Sequence, residues 1–565
     1  EWKKDYAAWS LDEEIDLAKA KIESSENMTV HDYQRILHSF FISTRDYHVS
    51  NEYYSTEMAL LPFEVKSAEG HYIITDASNN YFQEMASLGL YRGSKIPSIG
   101  DELLMFDGKP IDEAISQLKN DELGNPSSKT SQVLAEGVLT QRLRSIGHQV
   151  PHGTIHLQFK KMTGEVITAE MEWVYSPEKI ANKSLSSFKV MTAAAMNMFG
   201  FAESIEYKES PDLAPVVPER YKTMVINPVA NALSKDRSKV YEEFFAQAGK
   251  DAYNSQDQAE RGIPTPSLDR GLLTLGTKIW QESASSHFKA YIYRSPLTQK
   301  RVGYVRISTY QPTDNYNNVT TFAMQLASVL RYFETSTDAL VIDQVDNPGG
   351  IFLYAYAILS MLTDHPLIAL QHQATITQED VAQAFKDIEQ ITYELQMGAS
   401  VSLMLGYPVT PEFLLGQLSY SEFIISEWEA GNTLTGNRPV QGIDIIDPHP
   451  QAHYSKPIVI LVDSRDFSCA DIVPAILQDN GRALVFGAQT AGAGGIVKQH
   501  SYPNLFGLAN FSYTASIFER QNGTRLENLG VTPDMPYELT KDDLLYGYKG
   551  YIQAVNKAIE LQMAK

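Results

Sequence analysis

An apolar run, Ile460-Leu461-Val462, leads through Asp463-Ser464-Arg465-Asp466-Phe467 into Ser468-Cys469-Ala470-Asp471. The pattern reads as a buried strand, a short loop and a helix that opens at Ser468. A serine there sits at the positive end of a helix, and the amide of Cys469 has no partner inside that helix. Such an amide can face a developing oxyanion, so Ser468 is a candidate nucleophile and Cys469 a candidate oxyanion donor. Taken alone, the segment is better explained as a plain helix cap, with Asp471 three residues on as its capping-box partner.

Two other segments share the strand-then-loop form. Val341-Ile342-Asp343-Gln344-Val345-Asp346-Asn347-Pro348 ends in Gly349-Gly350. Glycines let a backbone approach a ligand closely, which makes Gly349 and Gly350 candidates for a second oxyanion donor, or merely a strand-to-helix turn. Gly487-Ala488-Gln489-Thr490-Ala491-Gly492-Ala493-Gly494-Gly495 suits a loop lining a cleft. It lacks the lysine of a phosphate-binding loop, so nucleotide binding is rejected.

In this order and at these strand ends, the three segments resemble the C-terminal-processing (tail-specific) peptidase family over about residues 301–535. The resemblance implies a crotonase-like α/β catalytic core and a serine endopeptidase acting on proteins and peptides, with no cofactor. Many members place a lysine base where this chain has Ala493, so a different base is needed to activate the serine. The branch that uses histidine and glutamate matches at Thr44-Arg45-Asp46-Tyr47-His48, Asp466–Asp471, Thr490–Gly495 and Glu527-Asn528-Leu529-Gly530-Val531-Thr532-Pro533. The resemblance therefore implies His48 as general base and Glu527 as the carboxylate that orients it. Without it, His48 reads as a structural histidine and Glu527 as a surface carboxylate. It further implies a secreted, virulence-type protease made as a zymogen, and a homodimer is expected. The rival reading is a catalytically silent binding or scaffold protein on the same fold.

These residues need elements to position them. Residues 1–55 read as helices: Ser10 with Glu13 and Thr29 with Asp32 form capping boxes, and the second helix runs toward His48. Residues 56–177 alternate in short strands, with Asp107-Gly108 as a tight turn. They resemble a PDZ domain, which binds a peptide as an added strand. Residues 178–270 show no period. Met191, Met196 and Met198 are followed by Pro211, Pro215 and Pro218, which reads as a linker or regulatory segment. Residues 271–565 alternate strands (Gly303–Thr309, Ala339–Asp343, Lys456–Val462, Ala483–Phe486) with helices near 317–334, 352–363, 378–396 and 469–479. The whole is an α+β multidomain protein.

Composition bounds the partners. The 565 residues carry a net charge of −22, which repels nucleic acid and anionic membranes. The single cysteine, Cys469, permits no internal disulfide. No apolar run reaches the roughly 18 residues that span a bilayer. His148, His152 and His156 have helical metal-ligand spacing, but Pro151 and Gly153 break any helix there, so no metal site is assigned. The start at Glu1 rather than Met is expected of a chain whose signal peptide has been removed.

Overall fold

The computed structural model describes residues 2–77, 79–178, 273–283, 288–312, 315–398, 402–501 and 504–565. The regulatory segment expected at 178–270 lies outside these residues except for Glu178. The architecture is mixed α+β, with N-terminal helices, a PDZ-like module and an α/β core.

The core sheet runs in the order Thr277–Gln281, Ala290–Arg294, Arg301–Arg306, Ala339–Asp343, Ile458–Val462, Ala483–Gly487, Met535–Pro536. The first three strands are antiparallel neighbours, and every later pairing is parallel. Ala339–Asp343, Ile458–Val462 and Ala483–Gly487 are buried at every position. Alternate side chains go to opposite faces: Leu340, Ile460 and Val485 pack with the helices Phe352–Met361 and Cys469–Asp479. Val341, Leu461 and Phe486 pack with the helix Lys549–Met563. Cover on both faces explains why these strands are apolar throughout rather than alternating. Because they run parallel, their C-terminal ends share one edge, and the segments 344–351, 463–468 and 488–496 converge there.

The PDZ-like sheet has the order Phe63–Ala68, His71–Ala77, Glu102–Phe106, Thr154–Lys160, Val166–Glu172, Tyr91–Gly93. Helices Ile111–Asp121 and Lys129–Thr140 pack on it. Asp107 and Gly108 both have positive φ, 51° and 75°, as a two-residue hairpin turn requires. The core of this module also takes in Phe467, Ala491 and Ala493 from the catalytic segments.

At the N-terminus, the Thr29–Asp32 capping box forms in front of the helix Val30–Ser43. The one expected at Ser10 does not: the helix Leu11–Glu23 starts there, but the Ser10 side chain makes no capping bond. Leu11, Asp12 and Glu13 are exposed, so water can satisfy the first amides instead.

Candidate active site

Ser468 sits between the loop and the helix Cys469–Asp479 with φ 57° and ψ −118°. A positive φ at a side chain with a Cβ is strained and persists only where the surroundings hold it. Here its N–H donates to the Ala493 carbonyl at 2.9 Å, and the Phe467 N–H donates to the Asn347 carbonyl at 3.0 Å. The buried Asp466 carboxylate collects the N–H groups of Asp463 (3.1 Å) and Asn347 (3.0 Å) and the Gln344 side-chain amide (3.0 Å). The cap reading holds only in part. The Ser468 hydroxyl makes no capping bond. Asp471 is engaged chiefly elsewhere: it accepts the Thr490 hydroxyl at 2.5 Å and the N–H groups of Gly492 and Ala493 at 3.0 and 2.8 Å, with the Ser468 backbone amide as a lesser influence. Burial raises the Asp471 carboxyl to about 6, against the pull of those donors. Asp471 thus binds the glycine loop to the nucleophile helix, and Ala493 returns the link through its carbonyl.

Gly349 lies against this serine. With φ +94°, a Cβ there would stand 2.6 Å from Ser468 Cβ and 3.2 Å from the Cys469 nitrogen. Its N–H is taken by the Asn347 side-chain oxygen at 2.8 Å. Of the three amides expected at the oxyanion position, those of Cys469 and Gly350 have no acceptor among the described residues. The Cys469 thiol points to the Gly350 carbonyl at 3.3 Å, and burial pushes it up to about 12, so it stays protonated.

His48 is fully buried. Its N–H donates to Asp46 Oδ1 at 3.0 Å and its carbonyl accepts the Ser512 hydroxyl at 2.6 Å. The strand that follows, Ser50–Tyr53, pairs antiparallel with Leu508–Thr514, placing Ser50 opposite Ser512. The preceding residue, Tyr47, packs edge-on against Phe467 with ring centroids 5.8 Å apart. The residues just before the base and just before the nucleophile are therefore in contact. Glu527 is also buried: its Oε2 accepts the Gly495 N–H at 3.2 Å, and Gly495 abuts Thr514. Gly492 (φ +72°) presses on the segment 528–530, and the Asn528 N–H donates to the Gly492 carbonyl at 2.7 Å.

No hydrogen bond joins Ser468, His48 and Glu527 among the described residues, although residues beside them touch: Tyr47 packs on Phe467, and Gly495 lies against both Glu527 and Thr514. Both ring nitrogens of His48 and Oε1 of Glu527 are buried without partners among the described residues. Burial lowers the His48 imidazole to about 4, with the Asp46 charge opposing, so the ring is a neutral base. Burial and the Asp46 charge raise Glu527 well above the usual carboxylate range. Orphaned buried polar groups are uncommon and call for an explanation, of which a catalytic role is one. Lys3 and Asp46, which sequence reasoning did not single out, also reach this place: Lys3 Nζ lies 3.3 Å from Asp46 Oδ2. Asp46 was visible only as a neighbour of His48, and Lys3 carries no sequence signal.

Residues 301–537 match the model of peptidase family S41, and residues 57–180 match a PDZ domain model. A protein of Chlamydia muridarum is 31% identical over 99% of this chain and 89% of its own length. One of Chlamydia trachomatis is 30% identical over 99% of this chain and 89% of its own. A carboxy-terminal-processing protease of Bartonella bacilliformis is 33% identical over 17% of this chain and 21% of its own. Among solved structures, mature CPAF complexed with lactacystin superposes with a TM-score of 0.77 at 27% identity, covering 100% of this chain and 95% of that one.

Proposed function

Because the chain belongs to peptidase family S41 and is a serine-type peptidase, we propose that Ser468 is its nucleophile, His48 the general base and Glu527 the carboxylate behind it. The observation that carries this reading is the strained backbone of Ser468, held at φ 57° on the first turn of a buried helix with its hydroxyl uncommitted to a cap. Such strain is retained where a side chain must be presented outward.

The reaction is acyl transfer to water. Ser468 Oγ attacks the peptide carbonyl while His48 takes the hydroxyl proton. The negative oxygen of the tetrahedral intermediate meets the N–H groups of Cys469 and Gly350, at the positive end of the helix Cys469–Asp479. His48 then gives its proton to the leaving amine. Water, deprotonated by the same imidazole, releases the acyl group and restores Ser468. Glu527 Oε1 has no partner among the described residues, and accepting a hydrogen bond from the ring N–H would fix its tautomer and stabilise the imidazolium. Such bonds often close only around substrate.

A fluorophosphonate should modify Ser468, and Ser468→Ala should lose on the order of 10⁶ in turnover on casein while keeping its fold. Wild-type protein that takes no label and cuts nothing would instead mark a silent binding protein. We further propose that the enzyme is exported, acts as a homodimer and is matured by self-cleavage within 178–270. The maturation step is supported by the likeness to CPAF, which was solved in a mature form. Ser468→Ala protein should then remain a single chain where wild type yields two fragments.

A further inference from the structure

Asp46 is 7% exposed and stands two residues before the base. Its Oδ1 accepts the His48 N–H, and its Oδ2 accepts the Thr514 hydroxyl at 2.9 Å. Its charge reaches Glu527 as well as His48. Two carboxylates in a site closed to water cannot both ionise readily unless a cation joins them. That cation is Lys3, brought in by the helix Trp2–Ala7.

Lys3 has a second partner. Its Nζ donates to Asn528 Oδ1 at 2.7 Å, and Asn528 directly follows Glu527. The Asn528 side-chain amide donates in turn to the Arg45 carbonyl at 2.6 Å, and Arg45 directly precedes Asp46. Asn528 and Arg45 both hold positive φ, 62° and 52°, so each end of this link is a backbone kink kept in place from outside. The contacts close a ring from Lys3 to Asp46, along the chain to Arg45, across to Asn528 and back to Lys3. One side of the ring belongs to the loop that carries His48, the other to the loop that carries Glu527.

We propose that Lys3 and Asp46 are positioning residues of the active site, an ion pair that holds the His48 loop and the Glu527 loop in register and balances their charge. The proposal rests on the reading of Ser468, His48 and Glu527 as the catalytic groups. It adds a requirement that this reading does not contain: the N-terminal helix completes the site. The charged groups that face Asp46 are Lys3 from that helix, His48 from its own loop and Glu527 from across the site, with Asp471 behind Glu527.

The test is a set of full-chain variants: Lys3→Met, Lys3→Arg, Asp46→Asn and, as a control on the exposed face of the same helix, Lys4→Met. Misplacing a catalytic group by about 1 Å can lower turnover about 10²-fold. Lys3→Met should lower kcat by about that factor with little change in KM, Lys3→Arg should restore most of it, and Lys4→Met should match wild type. The pH profile separates charge from packing. Asp46 favours the protonated form of His48 and Lys3 disfavours it. The acid limb of kcat/KM should therefore move to higher pH in Lys3→Met and to lower pH in Asp46→Asn. An unchanged kcat and limb in Lys3→Met would overturn the proposal. So would a lowered melting temperature with the limb unmoved, since that marks a purely structural contact. Fluorophosphonate labelling keeps the two readings apart. Failure of wild-type Ser468 to react sinks the catalytic assignment, whereas equal labelling rates in wild type and Lys3→Met sink only the role of the pair.

Discussion

Gly349 acts on the nucleophile through the space it leaves open. A Cβ there would press on Ser468 Cβ at 2.6 Å and on the Phe467 carbonyl at 2.7 Å, in a backbone conformation (φ +94°) that already excludes most side chains. Gly349→Ala should therefore displace Ser468 and slow casein hydrolysis by about 10²-fold or more, with far-ultraviolet circular dichroism unchanged. Wild-type rates from that variant would show that the turn yields without moving the serine. Asp471 makes a different prediction. Its carboxyl is raised in the folded protein from 3.8 to about 6, so the folded state holds the proton more tightly than the unfolded state. Its contribution to stability is present below about pH 4 and is lost as pH rises toward about 6. The stability advantage of wild type over Asp471→Asn, from urea melts, should shrink across that window and stay level above it. At this scale the sequence showed which residues were available but not which way they point. The spacing of Ser468 and Asp471 fits a capping box, and only the fold turns the carboxylate toward Thr490, Gly492 and Ala493.

Elements differ in how plainly the sequence announces them. The helix Gln378–Gln396 falls where the sequence pattern predicts one, and the strands Ala339–Asp343 and Ile458–Val462 stand out because burial on both faces demands unbroken apolar runs. The strand pair that follows His48 does not stand out. Ser50–Tyr53 and Leu508–Thr514 are half-polar, and their register is set by partners more than 450 residues apart, as in the bond between Ser50 and Ser512. Yet this ladder decides where the base sits, because Ser512 donates its hydroxyl to the His48 carbonyl at 2.6 Å. Ser512→Ala leaves that buried carbonyl without this donor, which costs about 1–3 kcal/mol. The variant should melt at lower temperature and lose turnover, because the lost bond anchors the base itself. A variant that loses stability but keeps full kcat would show that His48 is positioned from elsewhere.

At the scale of the molecule, the PDZ-like module is part of the catalytic machine rather than a tethered accessory. Its hydrophobic core contains Phe467, Ala491 and Ala493, the residues that flank and support Ser468. Tyr47 closes the same contact from the other side: its ring packs on Phe467, and its hydroxyl donates at 2.6 Å to Ser128, the cap of the module's helix Lys129–Thr140. Phe467 is fully buried, and a phenylalanine torn from such a core costs about 3–5 kcal/mol. A module that hung on a linker would unfold by itself and leave the serine reactive. Here the two should melt together, since unfolding residues 56–177 strips the packing from the nucleophile loop and from the base loop at once. Scanning calorimetry of the full chain should show these parts in one transition, and fluorophosphonate labelling of Ser468 should vanish across that same transition. Deleting residues 56–177 should likewise abolish labelling, although Ser468, His48 and Glu527 all remain in the chain. A lower, separate transition that leaves Ser468 fully reactive would show instead that the shared core is dispensable, and that the module only delivers substrate.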